Sequence, residues 1–275
     1  MKIDYNTLNH AGKESYSVRQ RKEIRYPGKE TVEWYGFKRH NFEIDGHQAF
    51  IVEPPNPAPG LPWCWCTQWA EAFVPRTPAL KLLERGFHHV HIDVFSTYFN
   101  PEGIKIVEKF YAQLMELGFY PQAALIGMSY GGLFSWRWAA EHPETVAAMY
   151  LDAPVCDLGF RCGGIAEDLQ NHSDSESVKR AAAYKVPDRE ALARHPLSPL
   201  NNYQPIADAK IPVLCIRSGQ DQSVVPETNI DIMAQRLQDA GGIIEIINRP
   251  LWGHHPHGLD DPRPLVDFIL QHYPF

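Results

Sequence analysis

The chain has little cysteine, and its cysteines do not form the patterns of a disulfide-stabilised or zinc-finger protein. Only five are present among 275 residues, and no two are spaced as a CxxC pair. An odd number of cysteines without paired spacing argues against a disulfide framework. Cys64 and Cys66 alternate with Trp63 and Trp65, as residues of a buried strand do, so we expect small buried thiols there.

Long apolar runs and an excess of basic residues are also absent. No segment has the length needed to span a membrane, and residues 1–5 lack the apolar character of a signal peptide. These absences favour a cytoplasmic protein without a membrane partner; a chain from which an export signal had been removed would look the same. The formal net charge of −7 argues against a nucleic-acid partner, which requires a basic face.

Proline and glycine divide the chain into strand-like and helix-like runs. Residues 32–53 predict two strands around a turn at Asp45-Gly46, a strong hairpin signal. Strands and helices then alternate: strands are predicted over 61–67, 88–94, 123–127, 146–151, 211–216 and 243–247, and helices over 77–85, 101–117, 130–141, 228–240 and 265–272. Such alternation predicts an α/β fold over 1–275, with a mostly parallel central sheet and helices on both faces.

Residues 155–210 interrupt this alternation. No strand is predicted there, and a helix-compatible piece runs only from Glu176 to Tyr184. Long insertions in compact domains are often functional. We therefore expect an inserted lid or cap over the carboxyl edge of the sheet, where the active sites of such folds lie. A tolerated surface insertion is the alternative.

The strongest candidate for a catalytic residue is Ser129, in the run Gly127-Met128-Ser129-Tyr130-Gly131. It follows a predicted strand and precedes a predicted helix, which is the context of a nucleophile elbow. Glycine on both sides allows chain segments to pack closely against the turn. The dipole of the following helix favours negative charge at the turn, so the Tyr130 N–H is the expected first oxyanion donor. An ordinary glycine-rich turn is the alternative.

A nucleophilic serine needs a base that is oriented by an acid, and both have candidates later in the chain. Asp221 follows one predicted strand and is the expected acid, while Asp152 follows the preceding strand and is the alternative. His254 is the expected base, with His255 and His257 as alternatives in the same short run. Histidine-rich tracts can also bind metal. No carboxylate or cysteine stands at a recognisable ligand spacing, however, so we expect no metal site.

With a serine, an acid and a histidine in that order, the sequence resembles the α/β-hydrolase superfamily over most of its length. The segments 127–132, 152–155 and 253–257 resemble those of bacterial esterase or dienelactone-hydrolase-like members, some of which are associated with polysaccharide use. The resemblance implies the α/β-hydrolase fold and a hydrolase. The superfamily also contains lyases and non-catalytic receptors, so the fold does not fix the substrate.

One segment departs from the family pattern. Where many members have His-Gly after the third strand, this chain has Trp65-Cys66-Thr67-Gln68-Trp69. We expect a backbone N–H near Thr67 or Gln68, or the Gln68 amide, to supply the second oxyanion donor. Loss of one such donor costs roughly 100- to 1000-fold in turnover. Trp69 and Phe73 follow and are expected to line a pocket for a sugar ring or an aromatic acyl group.

Together these residues predict a carboxylesterase that uses no cofactor and no metal. His254 takes the proton of Ser129, Asp221 fixes the tautomer of His254, and water hydrolyses the acyl-enzyme. The expected partner is a small-molecule or oligosaccharide ester. The alternatives are a peptidase or lactone hydrolase with the same triad, a carbohydrate lyase or dehydratase, and a non-catalytic binding protein.

Overall fold

Nine strands form one sheet in the computed structural model, which describes residues 24–28, 30–160 and 167–274. Cys162 lies outside the described residues. The strands are β1 (Glu30–Trp34), β2 (Phe37–Ile44), β3 (His47–Glu53), β4 (Trp63–Gln68), β5 (His88–Ile92), β6 (Ala123–Met128), β7 (Val146–Asp152), β8 (Pro212–Ser218) and β9 (Ile243–Arg249). Their order across the sheet is β1-β2-β3-β5-β4-β6-β7-β8-β9.

The sheet is antiparallel at one end and parallel elsewhere. Strands β1, β2, β3 and β5 pair antiparallel, whereas β5, β4 and β6 to β9 are parallel. The prediction of two strands over 32–53 was wrong, because this region contains three. Tyr35 and Gly36, with φ of 51° and 81°, reverse the chain between β1 and β2. Tyr-Gly is not among the dipeptides that signal a two-residue turn, whereas the turn at Asp45-Gly46 is where the sequence predicts it.

Helices cover both faces of this sheet, which confirms the predicted fold class. They are α1 (Ala79–Glu84), α2 (Pro101–Glu116), α3 (Tyr130–Glu141), α4 (Glu167–Ala183), α5 (Arg189–Ala193), α6 (Gln204–Asp208), α7 (Ile230–Asp239) and α8 (Arg263–His272). Helices α2, α3 and α7 contribute to the core on one face, and α1 and α8 to the core on the other. Among the described residues, no helix is long and apolar enough to cross a membrane.

The central strands are buried along their whole length. Every residue of β4, β6 and β7 is buried, as expected for parallel strands covered on both faces. Because these three strands are neighbours and parallel, their carboxyl ends meet at one edge of the sheet. This edge brings Gln68, Ser129 and Asp152 close together.

Residues 155–210 form helices α4, α5 and α6, and no strand among the described residues of the segment. Helix α4 begins at Glu167, nine residues before the predicted start at Glu176, so the predicted boundary was wrong. Apolar side chains of the segment, including Val155, Leu192 and Leu200, belong to the core beside α3. Its role as a lid stays a prediction.

A buried arginine joins α4 to the centre of the molecule. Arg180 is 1% exposed. Its guanidinium donates to the carbonyl oxygens of Leu158 and Phe160, each at 2.6 Å, and to the Tyr130 hydroxyl at 2.5 Å. Hydrogen bonds from a charged donor are stronger than those between neutral groups. Arg180 therefore positions α4 beside the first residue of α3.

Candidate active site

Ser129 occupies the turn between β6 and α3 in an unfavourable backbone conformation. Its φ and ψ are 52° and −117°, outside the regions that non-glycine residues prefer. Two hydrogen bonds fix this turn: the Ser129 N–H donates to the Asp152 carbonyl, and the Val155 N–H donates to the Ser129 carbonyl, both at 3.0 Å. Backbone strain of this kind persists where the surroundings hold it, and it clusters at active sites.

Two glycines around the turn are required by close packing. A Cβ on Gly127 would lie 2.5 Å from the Ser135 hydroxyl oxygen, and a Cβ on Gly132 would lie 2.2 Å from the Cβ of Pro154. Both separations are far below van der Waals contact. The glycine pattern around Ser129 therefore reflects close approach of neighbouring chain segments as well as the shape of the turn.

His254 connects Ser129 to Asp221. The Nε2 atom of His254 lies 3.1 Å from the Ser129 Oγ, and its Nδ1 atom lies 2.7 Å from Asp221 Oδ2. The other oxygen of the nearly buried Asp221 carboxylate accepts the N–H groups of Ser223 and Val224, each at 2.9 Å. The structure thus brings the three predicted residues together in the order that activation of a serine by a base and an acid requires.

The alternative acid, Asp152, contacts a different histidine. Its fully buried carboxylate lies 2.9 Å from Nδ1 of His257. It also accepts the Gly258 N–H at 2.7 Å and the Tyr150 hydroxyl at 3.1 Å. Burial, reinforced by the Asp152 carboxylate, raises the pKa of Tyr150 well above its ordinary value, so this hydroxyl remains a donor. Asp152 and His257 therefore form a second acid–histidine pair behind the first.

Two arginines hold the backbone of the loop that carries His254, His255 and His257, here called the histidine loop. Arg76 donates from Nε to the carbonyl of His257 at 2.8 Å, and Arg249 donates to the carbonyl of Gly258 at 2.7 Å. Both guanidinium groups also lie over the ring of Trp252, at 5.8 and 4.5 Å from its centroid. Neither arginine was predicted from the sequence. Arg76 is 181 residues from its partner, and nothing in the local sequence marks that contact.

Aromatic side chains form one wall beside Ser129. Trp69, which is 39% exposed, lies with its ring 5.2 Å from that of Phe95. The Phe95 ring is 5.4 Å from that of Tyr130, which is in turn 5.9 Å from Phe160. Tyr130 follows Ser129 directly, so the row of rings passes the turn at Ser129 on its way from Trp69 to Phe160, before α4.

Phe73 lies against the histidine loop. Its ring stacks on His255 with centroids 5.5 Å apart and meets His257 edge-on at 5.4 Å. The ring centroids of His254, His255 and His257 are 4.8 to 5.1 Å from one another. Partial desolvation by the surrounding protein, together with the neighbouring imidazoles, lowers the pKa of His255. Phe73 therefore contacts the loop that carries His254, whereas Trp69 contacts the rings that lead to Tyr130.

Gln68 lines a cavity that adjoins this site and has both polar and apolar walls. The cavity has a volume of about 710 Å³, and neither Ser129 nor His254 is among its lining residues. Gln68 is 6% exposed, and its Oε1 atom is buried without a hydrogen-bond partner among the described residues. The lining also includes Trp69, Phe50, three alanines, the amide side chains of Asn41 and Gln48, and four charged or ionisable side chains: Arg39, Glu71, His91 and Asp93. The predicted role of Gln68 as an oxyanion donor stays a prediction.

Comparisons with known proteins agree with this architecture. The sequence profile of the alpha/beta hydrolase fold family matches residues 33–194, and no curated protein matches the chain in sequence. Dipeptidyl peptidase 4 from Porphyromonas gingivalis superposes with a TM-score of 0.61 at 15% identity, covering 86% of this chain and 35% of that one. The acylaminoacyl peptidase of Pyrococcus horikoshii superposes with a TM-score of 0.60 at 15% identity, covering 86% of this chain and 42% of that one.

A smaller structure is also similar. A candidate lipase from Acinetobacter baumannii AYE superposes with a TM-score of 0.54 at 14% identity, covering 86% of this chain and 92% of that one. The chain thus spans less than half the length of the two peptidases and nearly the full length of this relative. At sequence identities this low, the structural similarity shows a shared fold alone.

Proposed function

The chain belongs to the alpha/beta hydrolase fold family, and on that premise we propose that it is a serine hydrolase that cleaves carboxylic esters. One observation carries the proposal: His254 lies within hydrogen-bond distance of both the Ser129 hydroxyl and the Asp221 carboxylate. This is the arrangement in which a neutral imidazole can accept the serine proton while a carboxylate holds its other nitrogen.

The proposed reaction has two steps. The Ser129 Oγ attacks the ester carbonyl carbon, and its proton passes to Nε2 of His254. That proton then leaves with the alcohol as the carbon–oxygen bond of the ester breaks, which gives an acyl-enzyme. Water, deprotonated by His254, attacks the acyl carbon and releases the acid and Ser129. Asp221 stabilises the imidazolium in both steps.

The negative charge on the carbonyl oxygen needs preorganised donors. Tyr130 is the first residue of α3, where the helix dipole favours negative charge, and its N–H is the proposed first donor. The second is proposed at the end of β4. The Gln68 backbone passes close to the elbow there, because a Cβ on Gly131 would lie 3.3 Å from both its nitrogen and its oxygen.

The surroundings of the site support a small or carbohydrate-linked ester as substrate. The exposed ring of Trp69 offers a flat apolar surface, and the adjoining cavity offers carboxylate, amide and guanidinium groups. An aromatic surface with a few convergent polar groups is typical of small-molecule sites. We expect Trp69→Ala to raise KM for an acetylated sugar more than for p-nitrophenyl acetate, and Trp69→Phe to restore much of the difference. Equal effects on both esters would argue against a sugar-binding role.

The nucleophile can be tested with a fluorophosphonate probe. We expect one label per chain in the wild type and none in Ser129→Ala, because the probe needs an activated serine. Ser96, which is exposed after β5, offers a matched control, and Ser96→Ala should label as the wild type does. A folded wild-type protein that never labels would refute the proposed activity and favour a non-catalytic binding protein.

The base can be identified by comparing single variants. His254→Ala should lower kcat by about 10⁶-fold, since loss of one triad member costs nearly as much as loss of all three. Among the described residues, no hydrogen bond joins His255 to Ser129, whereas His254 makes one, so His255→Ala should lower kcat far less. A His254→Ala protein with near-normal turnover would show that another group is the base.

A peptidase is the second candidate, because two of the similar structures are peptidases. The two functions can be separated with matched substrates that share one acyl group, a p-nitrophenyl ester and a p-nitroanilide. An esterase should cleave the ester and leave the anilide nearly intact. Rapid cleavage of aminoacyl or dipeptidyl anilides, lost in Ser129→Ala, would favour the peptidase.

A further inference from the structure

The sequence predicts no metal site here, but the structure brings three imidazoles together, and we propose that His254, His255 and His257 form a binding site for Zn²⁺ and that zinc bound there blocks the hydrolase. The three imidazoles come from one short loop, and each offers a nitrogen that lies within 4.8 Å of those of the other two. The catalytic reaction proposed above uses only one of them. The proposed triad therefore does not explain why two more imidazoles lie beside His254.

The spacing is close to that of a three-histidine zinc site. Zn–N bonds are about 2.0–2.1 Å long and tetrahedral, which places the bound nitrogens about 3.4 Å apart. The imidazoles here must approach by at most ~1.4 Å to reach that spacing. His255 is exposed, so rotation of its side chain can bring its nitrogen closer to those of the other two rings.

Carboxylates already orient two of the three rings. Nδ1 of His254 lies 2.7 Å from Asp221, and Nδ1 of His257 lies 2.9 Å from Asp152. Metal-binding histidines usually donate their second ring N–H to a carboxylate or carbonyl, which fixes the tautomer and makes the other nitrogen a better ligand. In both pairs the nitrogen left for a metal is Nε2. This shared arrangement is the strongest argument for the site.

The donor set selects the class of ion. Three imidazole nitrogens suit zinc, copper or nickel, whereas magnesium and calcium prefer oxygen ligands. Zinc is the probe of choice because it has no redox chemistry and takes tetrahedral nitrogen sites. The Ser129 Oγ lies 3.1 Å from Nε2 of His254, so this hydroxyl or a water is positioned to complete the coordination.

Zinc binding and the proposed catalysis compete for one lone pair. In the proposed reaction Nε2 of His254 accepts the proton of Ser129, and the same atom would bind the metal. When zinc is bound, His254 therefore cannot accept the proton of Ser129. This consequence rests on the proposed function, whereas the existence of the site rests on the geometry of the three rings.

Zinc binding can be measured without any assay of activity. Tag-free protein is titrated with ZnCl₂ in competition with a chromogenic chelator. We expect one tight equivalent in the wild type. His255→Ala should weaken it by more than the roughly 10- to 100-fold that loss of an outer-shell partner costs. His47→Ala, which removes a histidine on β3 outside the cluster, is the matched control and should bind as the wild type does.

Inhibition is measured in parallel, with each variant normalised to its own rate without metal. Micromolar zinc should inhibit the wild type and His47→Ala, EDTA should restore their rates, and His255→Ala should need more than tenfold more zinc. Magnesium at the same concentration should have no effect. Zinc binding that is absent, or equal in wild type and His255→Ala, overturns the site. Tight binding with unchanged ester turnover overturns the inhibition. If the fluorophosphonate test fails, the titration still decides whether the metal site exists.

Discussion

Three histidines of β5 should make the protein lose stability as the pH falls below 6.5. His88, His89 and His91 are 0%, 1% and 8% exposed. Burial lowers the pKa of His88 to about 4 and that of His89 to about 3, and it also lowers the pKa of His91. His89 is stacked on Trp34 and its Nε2 has no hydrogen-bond partner among the described residues, so a charged ring there would be poorly compensated.

Whether the free energy of unfolding rises or falls with pH depends on which state, folded or unfolded, binds more protons. In the unfolded chain these histidines titrate near 6.5, whereas in the folded chain His88 and His89 stay neutral until about pH 4 and 3. Between these values the unfolded state binds more protons, so the free energy of unfolding decreases as the pH falls. At pH 5 each of the two histidines costs about 2 kcal/mol relative to pH 8, or about 4 kcal/mol together. That is a large part of the 5–15 kcal/mol typical of folded domains.

The assay is equilibrium urea unfolding at pH 8, 7, 6 and 5, followed by tryptophan fluorescence and circular dichroism, whose agreement tests two-state behaviour. The double variant His88→Gln/His89→Gln has no imidazole to protonate at these positions. Between pH 8 and pH 5 the wild type should lose about 4 kcal/mol more than this variant, whatever their absolute stabilities. His47→Gln, outside β5, should retain the wild-type dependence. A difference below about 1 kcal/mol between wild type and double variant would refute the reasoning.

Two comparisons of single variants test other parts of the structure. Asp221→Asn should lower kcat by about 10⁴-fold, because it disturbs the tautomer of the base. Asp152→Asn should lower kcat much less and reduce the free energy of unfolding by about 1–3 kcal/mol; equal kcat losses would contradict the separation of the two acids. Gly132→Ala should reduce the free energy of unfolding by about 1–3 kcal/mol, because its Cβ meets Pro154. Gly253→Ala, whose Cβ has no neighbour nearer than 3.8 Å, should change it by less than about 0.5 kcal/mol. Equal losses in urea unfolding would contradict the packing argument.

The parts of the fold that depend on local sequence could be predicted. Helix α3 spans Tyr130–Glu141, as predicted, because a glycine-rich turn marks its start and an apolar strand precedes it. The order of serine, acid and histidine also follows from the chain, since each candidate comes in the segment after a predicted strand. A turn without a recognised dipeptide, at Tyr35-Gly36, could not be predicted in this way.

Contacts between distant segments could not be predicted. Asp152 ends β7 and Asp221 follows β8, and the sequence does not show which of them meets which histidine. The structure answers this through the path of the loop after β9, which places His254 over Ser129 and His257 over Asp152. That path depends on Arg76, which stands far away in sequence before α1.

The backbone of Ser129 also bears on how this chain can evolve. A non-glycine residue held at φ of 52° and ψ of −117° stores on the order of 1–3 kcal/mol that the rest of the fold must supply. Glycine would release most of that energy and would leave no hydroxyl. Selection for thermostability alone would therefore favour the loss of the residue proposed as the nucleophile, and only selection for turnover would retain it. A library sorted first for heat resistance and then for activity should show these opposing pressures at position 129.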